Sequence, residues 1–504
     1  MSGSDRGAEA IDTQPSSDNI GVMARLAAVW SGIQIILRNL LSIFITAILA
    51  RLLVPEDYGL VAMVATLTAL LQVFSDMGLS WATVQRKNLT VGQVSGLFWI
   101  NLGVGALLWM VVAGAGPLIA EFYNEPDLAL IAIVVGSGFL ISGAAVQPIA
   151  LMTRALDFRR IALIEIAALI CGAITAITLA LAGWGYWALI LNGLVNASVR
   201  AVLALHYSNI RILPPGRAEG LGQLVSFGGL LAVNGIFIYF ARNLDNILIA
   251  KVWGATELGI YNRAYFLMLL PSILANGVLS GLMVSSLSAF QGDLNRFASA
   301  YRRALRLVAY IGTPIAVGLA LTAGPAVELV YGPNWSAVVP ILLWLSLAGI
   351  TQPIYNTTGW LFTAAGKGWS YLWLTAANTL VLGTVFFWMV SSGAVAVAMG
   401  YGLVMGLLIP IPALWLAHRA ASIPFRPTLV FLMPVVLINV VMAATVWCVG
   451  ATAHHFNMGQ MLGFALQVAT GIVTYLALTP AILNDMLKSD LLPYFSRFRE
   501  KARI

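Results

Sequence analysis

The sequence predicts an all-α integral membrane protein of about fourteen transmembrane helices, arranged as two six-helix lobes in a parallel pseudo-twofold repeat plus two C-terminal helices. Three observations carry this expectation. The 504 residues are 60% hydrophobic and 9% charged, with a mean hydropathy of +0.90, whereas a soluble domain carries about 25% charged residues. Positive charge alternates from one connection to the next. One helix–turn–helix junction recurs 200 positions after its first occurrence.

The chain opens with a polar segment, residues 1–21, that lacks the apolar core of a signal peptide and reads as a disordered cytoplasmic tail. Apolar runs able to cross a bilayer follow near 22–51, 59–76, 92–120, 127–150, 159–182, 184–206, 221–251, 259–285, 301–324, 336–364, 368–391, 393–418, 427–450 and 459–482. Connections such as Gly183-Trp184-Gly185 and Ser391-Ser392-Gly393 are so short that their flanking helices must be antiparallel neighbours. The expected divisions are an N-lobe over 22–215, a C-lobe over 216–425, a last helix pair within 426–482 and a basic tail over 483–504. Cys171 and Cys448 lie in apolar runs without ligand spacing and are expected as small core residues.

Basic residues set the orientation. The first connection set holds Arg6, Arg25, Arg86, Lys87, Arg154, Arg159, Arg160, Arg211 and Arg217, and continues through Arg296 to the C-terminal tail. It accounts for 21 of the 27 Lys and Arg residues. The opposite set holds only Arg51 and Lys251, beside an acidic loop of Glu121, Glu125 and Asp127. The positive-inside rule therefore places both termini in the cytoplasm, which requires an even number of spans.

The repeat aligns Ala50-Arg51-Leu52-Leu53-Val54-Pro55-Glu56-Asp57-Tyr58-Gly59-Leu60 on Ala250-Lys251-Val252-Trp253-Gly254-Ala255-Thr256-Glu257-Leu258-Gly259-Ile260 without a gap. Six spans separate the copies, so both have the same membrane orientation, as in parallel-repeat transporters. Arg51 and Lys251 each end the first helix of a lobe, with Asp57 or Glu257 close behind, a spacing expected of a turn clamp.

The segments ILARLLVPEDYGLVAM and FSDMGLSWATVQR, together with RNLDNILIAKVWGATELGIYNRAY and the following Pro271, resemble the two lobe openings of a known family. It is the polysaccharide transporter family, in its Wzx-type branch of colanic- and teichuronic-acid exporters, within the multidrug/oligosaccharidyl-lipid/polysaccharide exporter superfamily. The likeness spans residues 20 to 420. It implies a flippase for polyprenyl-diphosphate-linked oligosaccharide repeat units in a bacterial cytoplasmic membrane. The implied partners are the lipid-linked oligosaccharide, membrane lipid and a polysaccharide polymerase or export machinery.

Charges inside spans are costly and mark function by default. Arg38 is about thirteen residues from both flanking arginines, roughly 20 Å from either end, too deep to snorkel easily. Ser31, Gln34, Arg38, Ser42 and Thr46 form one polar stripe, which suits a cationic cavity wall for a diphosphate or acidic sugar, or else a clasp between helices. Asn234, Ile238, Arg242, Asp245 and Asn246 form a similar stripe, in which Arg242 and Asp245 are spaced to pair. That pair is either one that substrate or a proton disrupts, or a self-neutralised one. Arg263 reads as a cavity residue or an interface anchor. Arg200 receives an anionic head group or anchors its helix, and Glu165 couples ions or forms an interfacial pair with Arg159 and Arg160.

No metal site is expected, because the histidines lack ligand spacing, and no cofactor is expected. No Walker-type loop supports nucleotide hydrolysis, and no soluble domain holds an enzyme site. The alternating charge points to topology and away from nucleic acid. A drug or metabolite cation antiporter of the same superfamily remains as an alternative but would need an acidic cavity. A membrane-embedded glycan polymerase would need a large external loop, and a non-transporting scaffold would need neither.

Overall fold

The computed structural model describes residues 20–75, 80, 83–84, 89–208, 210, 212–214, 229–277, 283, 287 and 292–482. Most of these are helical, with no β-strand among the described residues. In chain order the helices are α1 (Ile20–Leu52), α2 (Pro55–Ser75), α3 (Val91–Tyr123), α4 (Asp127–Arg154), α5 (Phe158–Leu181), α6 (Tyr186–Ser208) and α7 (Gly229–Asn276). They continue with α8 (Leu294–Leu321), α9 (Ala323–Tyr331), α10 (Val338–Asn356), α11 (Thr358–Ala364), α12 (Gly368–Met389) and α13 (Ala394–Leu403). A π-helical turn, Val404–Leu408, leads into α14 (Pro410–Ala420), and α15 (Phe425–His455) and α16 (Gln460–Ile482) complete the set.

Among the described residues, eleven helices are long and apolar enough to cross a membrane, or twelve if the bent pair Ala394–Leu408 and Pro410–Ala420 is one span. That is short of the fourteen expected. The difference lies in two places. Pro55–Ser75 is not among the eleven, and α7 is counted once although it bends back on itself. Gly254, within α7, has φ 80° and ψ −170°, outside the helical region and favourable mainly to glycine. A straight helix would hold residues 245 and 261 about 24 Å apart. Instead the Tyr261 hydroxyl donates to Asp245 Oδ2 at 2.7 Å. The chain therefore folds back at Gly254, and α7 is a helical hairpin.

The hairpin α1–α2 is its counterpart 200 positions earlier, and the two meet. A Cβ at Gly59 would collide with the Ala255 carbonyl, and a Cβ at Gly259 would collide with the Pro55 carbonyl. Residue 59 touches 255 and residue 259 touches 55, so the contact is reciprocal under the repeat shift, as a pseudo-twofold axis requires. Close approach of this kind is how membrane helices pack without a hydrophobic driving force.

Two compact units emerge, residues 1–262 and 263–504. The division falls inside the second hairpin, because the glycine crossing ties residues 255–259 to the N-terminal helices. The boundary near 216 expected from the sequence lies outside the described residues. Within the first unit α3 and α4 pack backbone to backbone, with Gly105 against the Phe139 carbonyl and Gly143 against the Asn101 carbonyl. A capping box starts α3: Thr90 Oγ1 accepts from Gln93 N at 3.3 Å and Gln93 Oε1 from Thr90 N at 3.2 Å.

In the second unit Phe297, Tyr301, Leu305 and Val308 of α8 form one core with Leu361 and Phe362 of α11 and Leu414 of α14. Leu432, Val435 and Ile438 of α15 and Tyr475 of α16 enter the same core. Polar ties fix these last two helices to α8. Asn439 Nδ2 donates to Thr313 Oγ1 at 2.8 Å and the Tyr475 hydroxyl to Tyr310 O at 2.8 Å. They lie outside the repeat in sequence yet share its packing.

Two sequence expectations need correction. Lys251 does not clamp Glu257; its ammonium donates to the Phe122 carbonyl, at the C-terminal end of α3, and lies 4.9 Å from the Phe122 ring. The negative end of a helix dipole thus replaces the carboxylate. In the first hairpin Asp57 also closes its own turn, its Oδ2 accepting from Val54 N at 3.1 Å. Cys171 and Cys448 are exposed rather than core residues. In a membrane protein the outer face is as apolar as the core, so an apolar run does not distinguish them.

Gly59→Ala and Gly259→Ala should each destabilise the protein by about 1–3 kcal/mol or more, since backbone must shift to admit the methyl. Gly103→Ala, where a Cβ meets nothing within 4 Å, serves as the control and should leave thermal unfolding in detergent unchanged.

Candidate functional site

Arg38 lies on α1 and is exposed. Among the described residues it makes no ion pair or hydrogen bond. Helical geometry tells which exposure this is. At about 100° per residue, Ile33, Ile36, Leu40 and Phe44 cluster on the face of α1 opposite Arg38. They are 47%, 51%, 56% and 66% exposed and form a lipid-facing stripe. Gln34, Ser42 and Thr46 flank Arg38 on its own side and are half-buried. α1 therefore has two open faces, one apolar and one polar, and Arg38 occupies the polar one. The Arg159 guanidinium over the Trp30 ring, 5.9 Å from its centroid, anchors the start of this helix to α5.

Arg242, on the first arm of α7, is also exposed and has no partner among the described residues. On its side of the helix Tyr239, Asp245, Asn246 and Ile249 are buried, and Gly235 and Ile238 are half-buried. The guanidinium thus opens from a buried face into accessible space. Tyr239 fixes that face against α2, its hydroxyl donating to Thr66 O at 2.8 Å.

The expected ion pair between Arg242 and Asp245 does not form. Asp245 is 1% exposed, and its carboxylate accepts from the Tyr261 hydroxyl at 2.7 Å and from Asn246 N at 2.8 Å. A buried carboxylate needs hydrogen-bond donors, and the fold-back at Gly254 brings one from the opposite arm of the hairpin. Spacing along one helix could not reveal a partner on the next.

Glu165 and Arg200 find each other across α5 and α6, with Oε1 and Nε 2.7 Å apart. Arg159 and Arg160, the expected partners of Glu165, are engaged elsewhere: Arg160 pairs with Asp157 at 3.3 Å, and Arg159 lies over Trp30. The charges of Glu165 and Arg200 compensate each other, which leaves neither as a free ionic group. Arg263 belongs to the second unit, where its guanidinium lies 5.5 Å from the Phe266 ring centroid and its carbonyl accepts from the Tyr331 hydroxyl at 3.1 Å. The Asn234 side chain lies outside the described residues. The structure thus groups Arg38, Gln34, Arg242 and Asp245 in one unit, neutralises Arg200 and places Arg263 in the other unit.

Sequence reasoning missed Tyr239 and Tyr261, tyrosines inside apolar runs that resemble ordinary packing residues. The only signal for Tyr261 is its place in the repeat, where it stands over Val61.

A bundle of long apolar helices built on a repeated hairpin defines a multi-pass membrane protein. A family model described as polysaccharide biosynthesis protein matches residues 48–340, more than half of the chain, and the chain belongs to that family. It is 27% identical over 385 residues to the lipopolysaccharide biosynthesis protein WzxC of Escherichia coli K12, covering 75% of this chain and 77% of that protein. It is 24% identical over 464 residues to the teichuronic acid biosynthesis protein TuaB of Bacillus subtilis, covering 90% and 94%. Its fold is similar to that of the lipid II flippase MurJ in an inward closed conformation, with a TM-score of 0.69, 14% identity and coverage of 94% of this chain and all of that one.

The two open faces of α1 are experimentally separable. In a variant lacking Cys171 and Cys448, Arg38→Cys should react with a charged, water-soluble thiol reagent about tenfold or more faster than Leu40→Cys, because only the polar face meets water.

Proposed function

We propose that the protein is a flippase that carries polyprenyl-diphosphate-linked oligosaccharide repeat units across the cytoplasmic membrane. The product serves exopolysaccharide, capsule or lipopolysaccharide biosynthesis, and transport proceeds by alternating access. The single observation that carries this reading is the pair Arg38 and Arg242: two arginines deep within membrane helices, exposed, and without a counter-ion among the described residues. A guanidinium in that position is costly unless it faces water or an anion, and its planar fork matches the oxygens of a diphosphate.

The relatives supply the glycan. WzxC and TuaB are named for lipopolysaccharide and teichuronic acid biosynthesis, and the structural neighbour MurJ for flipping lipid II. The likeness to them supports a lipid-linked glycan as cargo.

In this reading the two six-helix lobes expected from the sequence, 22–215 and 216–425, rock during transport while the polyprenyl tail stays in lipid. Both termini lie in the cytoplasm. The repeat shift places Arg242 over Ser42 and Arg38 over Ile238, so Arg242 stands four residues, about 6 Å, nearer the hairpin turn. The two charges form a ladder that hands the head group along the path. Gln34 lies on the same stripe as Arg38 and would contact the sugar or phosphate. A polysaccharide polymerase or export machinery would take the unit on the far side. A cation antiporter is disfavoured by the sign of the open charges.

Transport of a fluorescent polyprenyl-diphosphate oligosaccharide in proteoliposomes tests the proposal. Arg38→Ala and Arg242→Ala should each lower flipping about 10- to 100-fold, the loss expected of one charge-assisted hydrogen-bond contact of about 1.5–3 kcal/mol. Arg→Lys variants should fall between, since the charge stays and the fork is lost. Wild-type rates in both alanine variants, at equal protein levels, would remove these residues from the path.

A further inference from the structure

Arg242 and Asp245 are three residues apart on one helix, a spacing at which opposite charges ordinarily pair. In a low-dielectric interior the attraction would be stronger than on a soluble helix. Yet the pair is absent, and the carboxylate is turned to the buried side. Tyr261, 0% exposed, reaches back across the Gly254 turn and donates to Asp245 Oδ2 at 2.7 Å, while Asn246 N holds Oδ1.

The repeat shows that the hairpin itself does not need this clasp. Under the shift of 200, Asp245 stands over Ile45 and Tyr261 over Val61, so the α1–α2 hairpin carries aliphatic residues at these positions. Arg242 stands over Ser42. The carboxylate, the hydroxyl and the guanidinium therefore occur together in one copy and are all missing at the same places in the other. A carboxylate placed one turn from a deep arginine, and then held away from it, has an electrostatic consequence. It lowers the potential around the arginine without occupying its hydrogen-bonding fork.

We infer that Tyr261 is a positioning residue: by holding the Asp245 carboxylate on the buried side of the hairpin, it leaves the Arg242 guanidinium free to receive the anionic head group of the cargo. The inference rests on the function proposed above. Without the hydroxyl, Asp245 loses its side-chain donor and turns to the nearest alternative, the guanidinium one turn away. Arg242 is then neutralised by its own helix and competes poorly for diphosphate.

The test compares wild type with Tyr261→Phe, Asp245→Asn and the double variant, using two readouts. The first is flipping of the fluorescent polyprenyl-diphosphate oligosaccharide in proteoliposomes. The second is modification of arginine by phenylglyoxal, read at Arg242 and Arg38 by peptide mass spectrometry. Tyr261→Phe should lower flipping about tenfold and protect Arg242, but not Arg38, from phenylglyoxal. Adding Asp245→Asn to Tyr261→Phe should restore most of the flipping and the reactivity of Arg242, because no carboxylate is left to capture it. Asp245→Asn alone is the reference for the double variant.

Tyr261→Phe with wild-type flipping and a reactive Arg242 would overturn the inference. So would a double variant as impaired as Tyr261→Phe, since the clasp would then serve only to hold the hairpin together. Should wild type flip none of this cargo, the proposed function fails, while the phenylglyoxal pattern still decides whether Tyr261 governs the pairing of Arg242.

Discussion

The first unit depends on one contact that involves no side chain. Gly59 meets the Ala255 carbonyl and Gly259 meets the Pro55 carbonyl, so two helical hairpins cross with their backbones touching. In lipid, apolar surface gives helices no reason to choose one another, and closeness of approach is what selects a partner. The crossing makes the second hairpin part of the first unit, and it relates the hairpins by a shift of 200 residues. Every position in one arm then has a counterpart whose chemistry can be compared.

The comparison shows where the repeat is broken for chemical reasons. Arg38 faces Ile238 in the alignment, Ser42 faces Arg242, Ile45 faces Asp245 and Val61 faces Tyr261. The turn with its basic and acidic residues is shared between copies, and these ionisable groups within the helices are not. A symmetric cage would present its charges at one level. Here they are offset by about one turn, and the only carboxylate in the set is buried against a tyrosine. Elsewhere in the first unit charges find local partners: Glu165 meets Arg200 across two helices, and the more exposed Arg160 meets Asp157. Arg38 and Arg242 have no counter-ion among the described residues, and the proposed anion path rests on them.

Much of this was legible in the sequence because lipid imposes simple rules. Composition declared the membrane, the 3.6-residue period declared the Arg38 stripe, and the turn residues around Pro55–Gly59 and Ala255–Gly259 declared the repeat. What escaped depended on contacts between elements. Helical spacing pairs Arg242 with Asp245, but a hydroxyl sixteen residues further on takes the carboxylate because the chain doubles back. Nearness in sequence assigns Glu165 to Arg159 and Arg160, but its partner comes from the next helix. Lys251 was matched with a nearby acid and instead reaches a helix end. The exposed cysteines show the same limit, since apolarity alone does not separate a core face from a lipid face. The span count differs from fourteen at Pro55–Ser75 and at α7, whose two arms count as one span.

The central claim is that α1 and the first arm of α7 jointly receive an anionic head group. The most direct measurement is photo-crosslinking with a polyprenyl-diphosphate disaccharide that carries its photoreactive group next to the diphosphate, followed by peptide mapping. The account predicts adducts on peptides spanning residues 31–46 and 235–246, competed by unlabelled lipid-linked oligosaccharide. Adducts confined to α5 and α6, or labelling that the unlabelled compound does not displace, would contradict it.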